Sequence, residues 1–303
     1  HDLAKDLQIE IHSIQHHKAH FAAVLTENNL TDTKNEIMGV IWDGTGFGDD
    51  EHIWGGEFMR YKNYSIQRIG HLSSFPVFLG DKMAREPRIS ALSLSHSNKE
   101  AHLLLQTKFE ATEWMTYGKM LANQKNQLTT TSVGRLFDAV ASIVLGVDKV
   151  NFEGEAAMQL ERVASTYCST TSPDLGYSYF NQKEAIPALT SQYLIQRVIE
   201  DLNLGTSAPE IAARFHISLV DLIRRTADDY KLKSVAFSGG VFQNALLVDL
   251  LISLLGEHYD LYFHKDLAPN DENISFGQIA YYELSRKNIT KKNEIPGRIS
   301  RSR

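Results

Sequence analysis

Three strand-like runs separated by short polar turns constrain this chain more than any other feature. They are Ile37 to Trp42, His52 to Tyr61 and Ser65 to Leu72, the last two joined by Lys62-Asn63. The first ends in Asp43-Gly44-Thr45-Gly46, a turn-forming sequence, so the region reads as a three-stranded antiparallel meander. Ahead of it, residues 2–8 read as the tail of a helix and Ile9 to Ile14 as a short strand. Residues 16–29 then read as a helix with Ala19, Ala22, Ala23 and Leu25 along one side, and Asn28 to Asn35 as a loop.

Residues 80–125 hold few strand signals and read as mostly helical. From Ser132 helices and strands alternate, with helices expected over 133–145, 154–167, 183–202 and 208–230. A buried strand, Ser234 to Phe237, runs into Ser238-Gly239-Gly240 and a helix to about Leu255. A last strand, Asp260 to His264, precedes a helix over 274–287. A meander followed by βα units is the plan of one lobe of the actin-like ATPase fold (ASKHA, RNase H-like). The expectation is therefore an α/β chain with one full lobe over 36–271, interrupted by a helical insertion at about 76–130. Residues 1–35 and 272–290 are expected as a remnant of the other lobe, and 291–303 as a basic tail.

A hydrophobic fraction of 43% and a charged fraction of 22% suit a core-forming globular protein. The formal charge of −6 argues against nucleic acid as the main partner. The most apolar stretch, Val235 to Leu255, is interrupted by Gly239, Gly240, Gln243, Asn244 and Asp249, so no membrane span is expected. The single cysteine, Cys168, supports neither a disulfide framework nor a thiolate zinc site within one chain. With no signal-peptide pattern at the start, a soluble cytoplasmic protein is expected.

The run Gln15-His16-His17-Lys18-Ala19-His20 is the strongest chemical signal. Histidines four apart share one face of a helix, so His16 and His20 can reach one ion while His17 points elsewhere. Two imidazoles at this spacing suit zinc, iron or another first-row metal, although a polar helix face gives the same pattern. Two histidines need acidic partners. Asp43 at the end of an apolar strand and Asp271 between a strand and a helix stand where open α/β folds place ligand contacts, and where turn or cap aspartates also stand. Phe237-Ser238-Gly239-Gly240-Val241-Phe242-Gln243-Asn244 is either a plain βα turn or a backbone approach to phosphate or ribose. Lys82, Arg85 and Arg88 form a cationic cluster around Glu86-Pro87, fit to hold a phosphate or to lie in a solvated loop. Asp138, in Gly134-Arg135-Leu136-Phe137-Asp138, can accept ribose hydroxyls or pair with Arg135.

Six motifs occur in order: Gln-His-His-x-Ala-His, Trp-Asp-Gly-Thr-Gly, Gly-Asp-Lys-x-x-Arg-Glu-Pro, Gly-Arg-Leu-Phe-Asp-Ala-Val, Glu-Gly-x-Ala-Ala-Met and Phe-Ser-Gly-Gly-Val-Phe-Gln-Asn. From about Gln15 to Tyr282 the chain resembles the C-terminal, Kae1-like domain of the HypF family of hydrogenase maturation carbamoyltransferases. The resemblance implies transfer of a carbamoyl group from carbamoyl-adenylate, made from carbamoyl phosphate and ATP in an upstream domain, to the C-terminal cysteine thiolate of a HypE-like partner. It implies His16, His20, Asp43 and Asp271 as ligands of a divalent metal, zinc or iron. Gly44, Thr45, Asp138, Gly154, Gly239, Gly240 and Asn244 would line the adenylate site, and Lys82, Arg85 and Arg88 would neutralise the leaving phosphate. Glu272 and Asn273 follow Asp271 where the family usually has glycines, which leaves the loop geometry at that ligand open. Other readings are tRNA or small-molecule carbamoylation, as in wider relatives, and a truncated, non-catalytic module that binds nucleotide or a partner protein.

Overall fold

The structure, a computed structural model, describes residues 6–123, 128–180 and 190–293. The start of the expected helix over 2–8, the first part of that over 183–202 and the tail beyond 293 lie outside them. The chain opens with α1 (His16–Glu27), followed by β1 (Ile37–Phe47), β2 (Ile53–Lys62), β3 (Ser65–His71) and β4 (Phe75–Pro76). Four helices come next: α2 (Asp81–Arg85), α3 (Pro87–Ser95), α4 (Lys99–Gln106) and α5 (Ala111–Ala122). Then come β5 (Thr129–Thr130), α6 (Val133–Leu145), α7 (Glu155–Cys168), α8 (Thr190–Asn203) and α9 (Ala208–Asp229). The chain closes with β6 (Ser234–Ser238), α10 (Ala245–Leu255), β7 (Asp260–Tyr262) and α11 (Ile274–Asn293).

The strands form one mixed sheet in the order β4-β5-β2-β1-β6-β7, with β3 also pairing with β2. The meander is antiparallel, whereas β1, β6 and β7 run parallel. Pairing of Ile41 with Ser238 sets the ends of β1 and β6 side by side. Alternation of side chains along each strand gives the sheet two apolar faces. Ile37, Ile41, Met59, Tyr61 and Ala236 pack under Phe21, Val24 and Leu25 of α1 and Ala280 and Leu284 of α11. Met38, Val40, Trp42, Val235 and Phe237 pack on the opposite side with Leu136, Phe137, Phe215 and Leu219 of α6 and α9. Each fully buried side chain of this size contributes roughly 1.5–3 kcal/mol. The α/β class with helices on both faces is as expected for an actin-like lobe.

Helix α1 is buried on nearly every side, because it lies between the sheet and α11. The single apolar side expected from Ala19, Ala22, Ala23 and Leu25 thus underestimates its burial. Two other local expectations fail. Residues 9–14 form no strand; Ile9 and Ile11 are exposed and the segment has no ladder partner among the described residues. Asp43-Gly44-Thr45-Gly46 makes no turn, since β1 continues to Phe47 with a register shift against β2 between Trp42 and Gly46. The Ser132 hydroxyl, at the start of α6, lies 3.0 and 2.7 Å from the carbonyl oxygens of Asp43 and Gly44, so backbone acceptors that a turn would satisfy are met by a helix cap instead. No helix among the described residues is long and apolar enough to cross a membrane.

Candidate metal centre

Helix α1 begins where Gln15 caps it, accepting a hydrogen bond from the Lys18 N–H at 2.9 Å. The same side chain donates to the Phe47 carbonyl at 3.0 Å, tying the start of the helix to the end of β1. His16, the first residue of the helix, and His20, one turn on, meet Asp43. His16 Nε2 lies 3.1 Å from Asp43 Oδ2 and 3.4 Å from Asp271 Oδ1. His20 Nε2 lies 3.4 and 3.5 Å from the same two oxygens. The four donor atoms all fall within 4.8 Å of one another. Four ligands bound at about 2.0–2.1 Å around a tetrahedral ion sit about 3.3 Å apart, and the four His–Asp separations bracket that value. His20 Nε2 is buried yet makes no hydrogen bond. Two nitrogen and two carboxylate donors, one nitrogen orphaned, fit a divalent first-row ion.

Asp43 is held by its surroundings as an anion. Burial alone would raise its carboxyl, but the facing His16 and His20 imidazoles and the Gly44 N–H hold it well below the usual carboxylate range. The Gly44 N–H donates to Asp43 Oδ1 at 2.7 Å and the Gly240 N–H at 3.4 Å. For His20, burial lowers the imidazole, and the Asp271 and Asp43 carboxylates more than offset it. Asp271 is largely exposed, in a short 3-10 turn that Asn270 caps through the Glu272 N–H. The loop with Glu272 and Asn273 thus keeps its carboxylate in reach. His17 faces Trp54 instead, and burial drives its pKa down to about 3.

The glycine turn after β6 stands against the centre. Gly239 has φ +105°, and a Cβ there would lie 2.2 Å from the Trp42 carbonyl oxygen, so only glycine lets the ends of β1 and β6 meet this closely. Arg135 and Glu153 both approach Gly44. Arg135 Nη1 lies 2.7 Å from Asp138 Oδ2 without hydrogen-bond geometry, and burial pushes the Asp138 carboxyl up to about 6. Thr45 is exposed beside them, and Gly154 caps α7 in a left-handed conformation.

Other expected residues stand apart from this group. Asn244 caps α10 through the Leu247 N–H and reaches His216 Nε2 at 3.1 Å, so its amide is already engaged. Lys82 binds the Tyr117 hydroxyl and Glu113. Arg88 is buried against Glu86 and Glu113. Both cations therefore close a charge network within the helices that follow β4. Arg85 is exposed, and its carbonyl accepts from the Val150 N–H, next to the segment that carries Glu153 and Gly154.

Sequence reasoning passed over the residues behind His20. Ser238 Oγ lies 3.2 Å from His20 Nδ1 and 2.9 Å from His264 Nε2. His264 Nδ1 lies 2.6 Å from Glu27 Oε2, and Glu27 Oε1 accepts from the N–H groups of Lys265, Asp266 and Leu267. The available signal was a histidine at the expected end of the strand that leads into the Asp271 loop. Burial lowers the His264 imidazole by more than Glu27 raises it. For Glu27, burial raises the carboxyl, but the three backbone N–H groups and His264 pull it down to about 2. A carboxyl whose folded pKa lies below its unfolded value of 4.5 stabilises the fold above that value, and this stability is lost as pH falls toward 2. Glu27→Gln is therefore expected to cost about 3 kcal/mol at neutral pH and almost nothing near pH 2, read from denaturant unfolding across that range. A pH-independent difference would contradict it.

Residues 39–278 match the family model described as "Carbamoyltransferase, Kae1-like Domain, second subdomain". The chain is 30% identical to the carbamoyltransferase HypF of Synechocystis sp. over 92% of its own length and 38% of that protein's. It is 33% identical to a HypF homolog of Cupriavidus necator, over 91% of the chain and 72% of that shorter protein. The crystal structure of a full-length HypF in the phosphate- and nucleotide-bound form matches with a TM-score of 0.79 at 27% identity, covering 93% of this chain and 37% of that one. HypF of T. kodakarensis matches with a TM-score of 0.76 at 25% identity, over 94% of this chain and 38% of that one.

Proposed function

The chain belongs to the HypF carbamoyltransferase family, and from that premise we propose that it moves a carbamoyl group from carbamoyl-adenylate to the C-terminal cysteine thiolate of a HypE-like protein. The observation that carries the reading is the convergence of His16, His20, Asp43 and Asp271 beside the glycine turn at the ends of β1 and β6. These four residues would hold a divalent ion, which supplies Lewis acidity toward phosphate and carbonyl oxygens when bound. The ends of parallel strands in an open α/β sheet are also where such folds receive ligands.

The chain's own residues then do the positioning. Ser132 caps α6 through the Arg135 N–H, and Gly134 in its first turn lies against the Gly44 backbone, so an anionic phosphate there would face the start of a helix. Gly44, Gly239 and Gly240 let that phosphate approach the backbone, with Thr45 at the rim. Asp138 would accept ribose hydroxyls. Arg85, the one of the three expected cations that no side-chain ion pair engages among the described residues, would neutralise the leaving phosphate. The partner's sulfur attacks the carbamoyl carbon, the C–O bond to phosphate breaks, and AMP departs with the electron pair. No nucleophile from this chain is needed, in keeping with Cys168 lying in α7 with its thiol pKa raised by burial.

The chain spans about two fifths of the length of the Synechocystis relative, so carbamoyl-adenylate is best supplied ready-made in the test. The expected result is a mass gain of one carbamoyl group on the partner's terminal cysteine, dependent on added divalent metal and accompanied by release of AMP. AMP release without modification of that cysteine would refute the acceptor, and no turnover by metal-loaded protein would refute the transferase.

A further inference from the structure

Behind the ligand face of His20 lies a buried file of polar groups: Ser238, His264 and Glu27, with Asn273 at its side. His20, Ser238 and Asn273 are completely buried, and the His264 and Glu27 side chains are only 3% and 8% exposed. Their separations run 3.2 Å from His20 Nδ1 to Ser238 Oγ, 2.9 Å from there to His264 Nε2 and 2.6 Å from His264 Nδ1 to Glu27 Oε2. Four elements contribute: α1 supplies both ends, His20 and Glu27, and β6, the segment after β7 and the turn before α11 supply the rest.

The direction of every proton in this file follows from its far end. Glu27 already accepts three backbone N–H groups and is an acceptor toward His264, so His264 Nδ1 carries the proton and donates it. His264 Nε2 is then a lone pair that must accept. Ser238 has one O–H, and its shorter contact is to His264, so that proton points away from His20. Asn273 donates one amide proton to the Ala268 carbonyl at 2.9 Å, and its remaining one faces Ser238 Oγ at 3.3 Å, the shorter of two contacts, with His264 Nε2 at 3.4 Å. The Ser238 oxygen is left to accept, and His20 Nδ1 is the donor that faces it. An imidazole whose Nδ1 keeps its proton offers a lone pair at Nε2, the atom that stands among the Asp43, Asp271 and His16 donors.

We propose that Glu27, His264 and Ser238 form a proton-ordered relay that fixes His20 as the Nδ1–H tautomer, preparing Nε2 as a metal ligand. They are positioning residues, since none is among the four candidate donors. The inference rests on the reading of His20 as a ligand. The relay accounts for a charged side chain buried at the end of α1 and for a serine, not a second glycine, ahead of Gly239. A pocket that sets only the shape of the imidazole ring would leave its two nitrogens equally fit to bind.

Glu27→Gln tests the polarity without changing shape. The glutamine oxygen can keep the three backbone N–H groups while its amide N–H faces His264 Nδ1. His264 then accepts at Nδ1 and donates from Nε2, Ser238 turns its O–H toward His20 Nδ1, and His20 carries its proton on Nε2. Ser238→Ala removes the relay outright and serves where the first variant folds poorly. The readouts are the affinity for Zn(II), by competition with a chromophoric chelator, and the nitrogen-15 shifts of the His20 ring in the metal-free chain. We expect each variant to bind Zn(II) roughly 10–100-fold more weakly, the range seen when groups supporting metal ligands are lost. His20 Nδ1 is expected to carry a proton in the native chain and none in Glu27→Gln. Native binding matched by both variants, or an unchanged His20 tautomer, overturns the relay and leaves the metal site standing. A native chain that takes up no Zn(II) overturns the site and the relay with it.

Discussion

Replacing His16 and His20 together by alanine is expected to take bound divalent metal from about one equivalent to near none, and carbamoyl transfer down about 1,000-fold. The magnitude follows from the several kcal/mol of charge stabilisation that a metal supplies at a developing oxyanion, at about 1.4 kcal/mol per factor of ten in rate. His20 is fully buried, so its loss also leaves a cavity, and the double variant alone would confuse ligation with folding. Asp271→Asn separates the two. Its side chain is 72% exposed and its removal should move stability by less than about 0.5 kcal/mol. Metal affinity should still fall, because a carboxylate oxygen at 3.4–3.5 Å from both histidines is replaced by a neutral amide. Elemental analysis with unfolding curves on the same preparations decides the matter. Equal metal in the native and double-variant chains would remove the centre.

Gly277→Ala should be nearly as damaging although residue 277 touches no ligand. Helices α1 and α11 cross with Gly277 pressed against the backbone of Ala19. A Cβ at 277 would lie 2.1 Å from the Ala19 carbonyl oxygen and 2.6 Å from its carbon. Backbone atoms cannot rotate away as a side chain can, so the helices must part. Overpacking of this kind costs about 3 kcal/mol, the upper part of the usual range. Ala19 precedes His20 and Asp271 lies shortly before α11, so the strain also spreads the four donors. Unfolding free energy and Zn(II) affinity are expected to fall together. A variant that unfolds at the native denaturant concentration and binds metal normally would show that the crossing yields at little cost.

Much of the architecture was legible because the signals are local. Alternation and turn residues located β2 and β3, helical spacing located α6 and α9, and the paired glycines marked the turn after β6. The failures share one cause. Residues 9–14 have strand composition but no partner among the described residues to complete a ladder, and Asp43-Gly44-Thr45-Gly46 has turn composition but finds its acceptors met by Ser132. Pairing is a property of neighbours in space, and a window of sequence carries no record of them.

At the site the division is equally physical. The helical repeat by itself put His16 and His20 on one face, and the ends of apolar strands by themselves singled out Asp43. What brought Asp271 to them, more than two hundred residues away along the chain, was the packing of α11 on α1. The fold alone also decided which polar groups were already taken: Lys82 and Arg88 by Glu86 and Glu113, Asn244 by a helix start and His216. The file of Ser238, His264 and Glu27 appeared only there too, since hydrogen-bond direction depends on which donor meets which acceptor once water is gone.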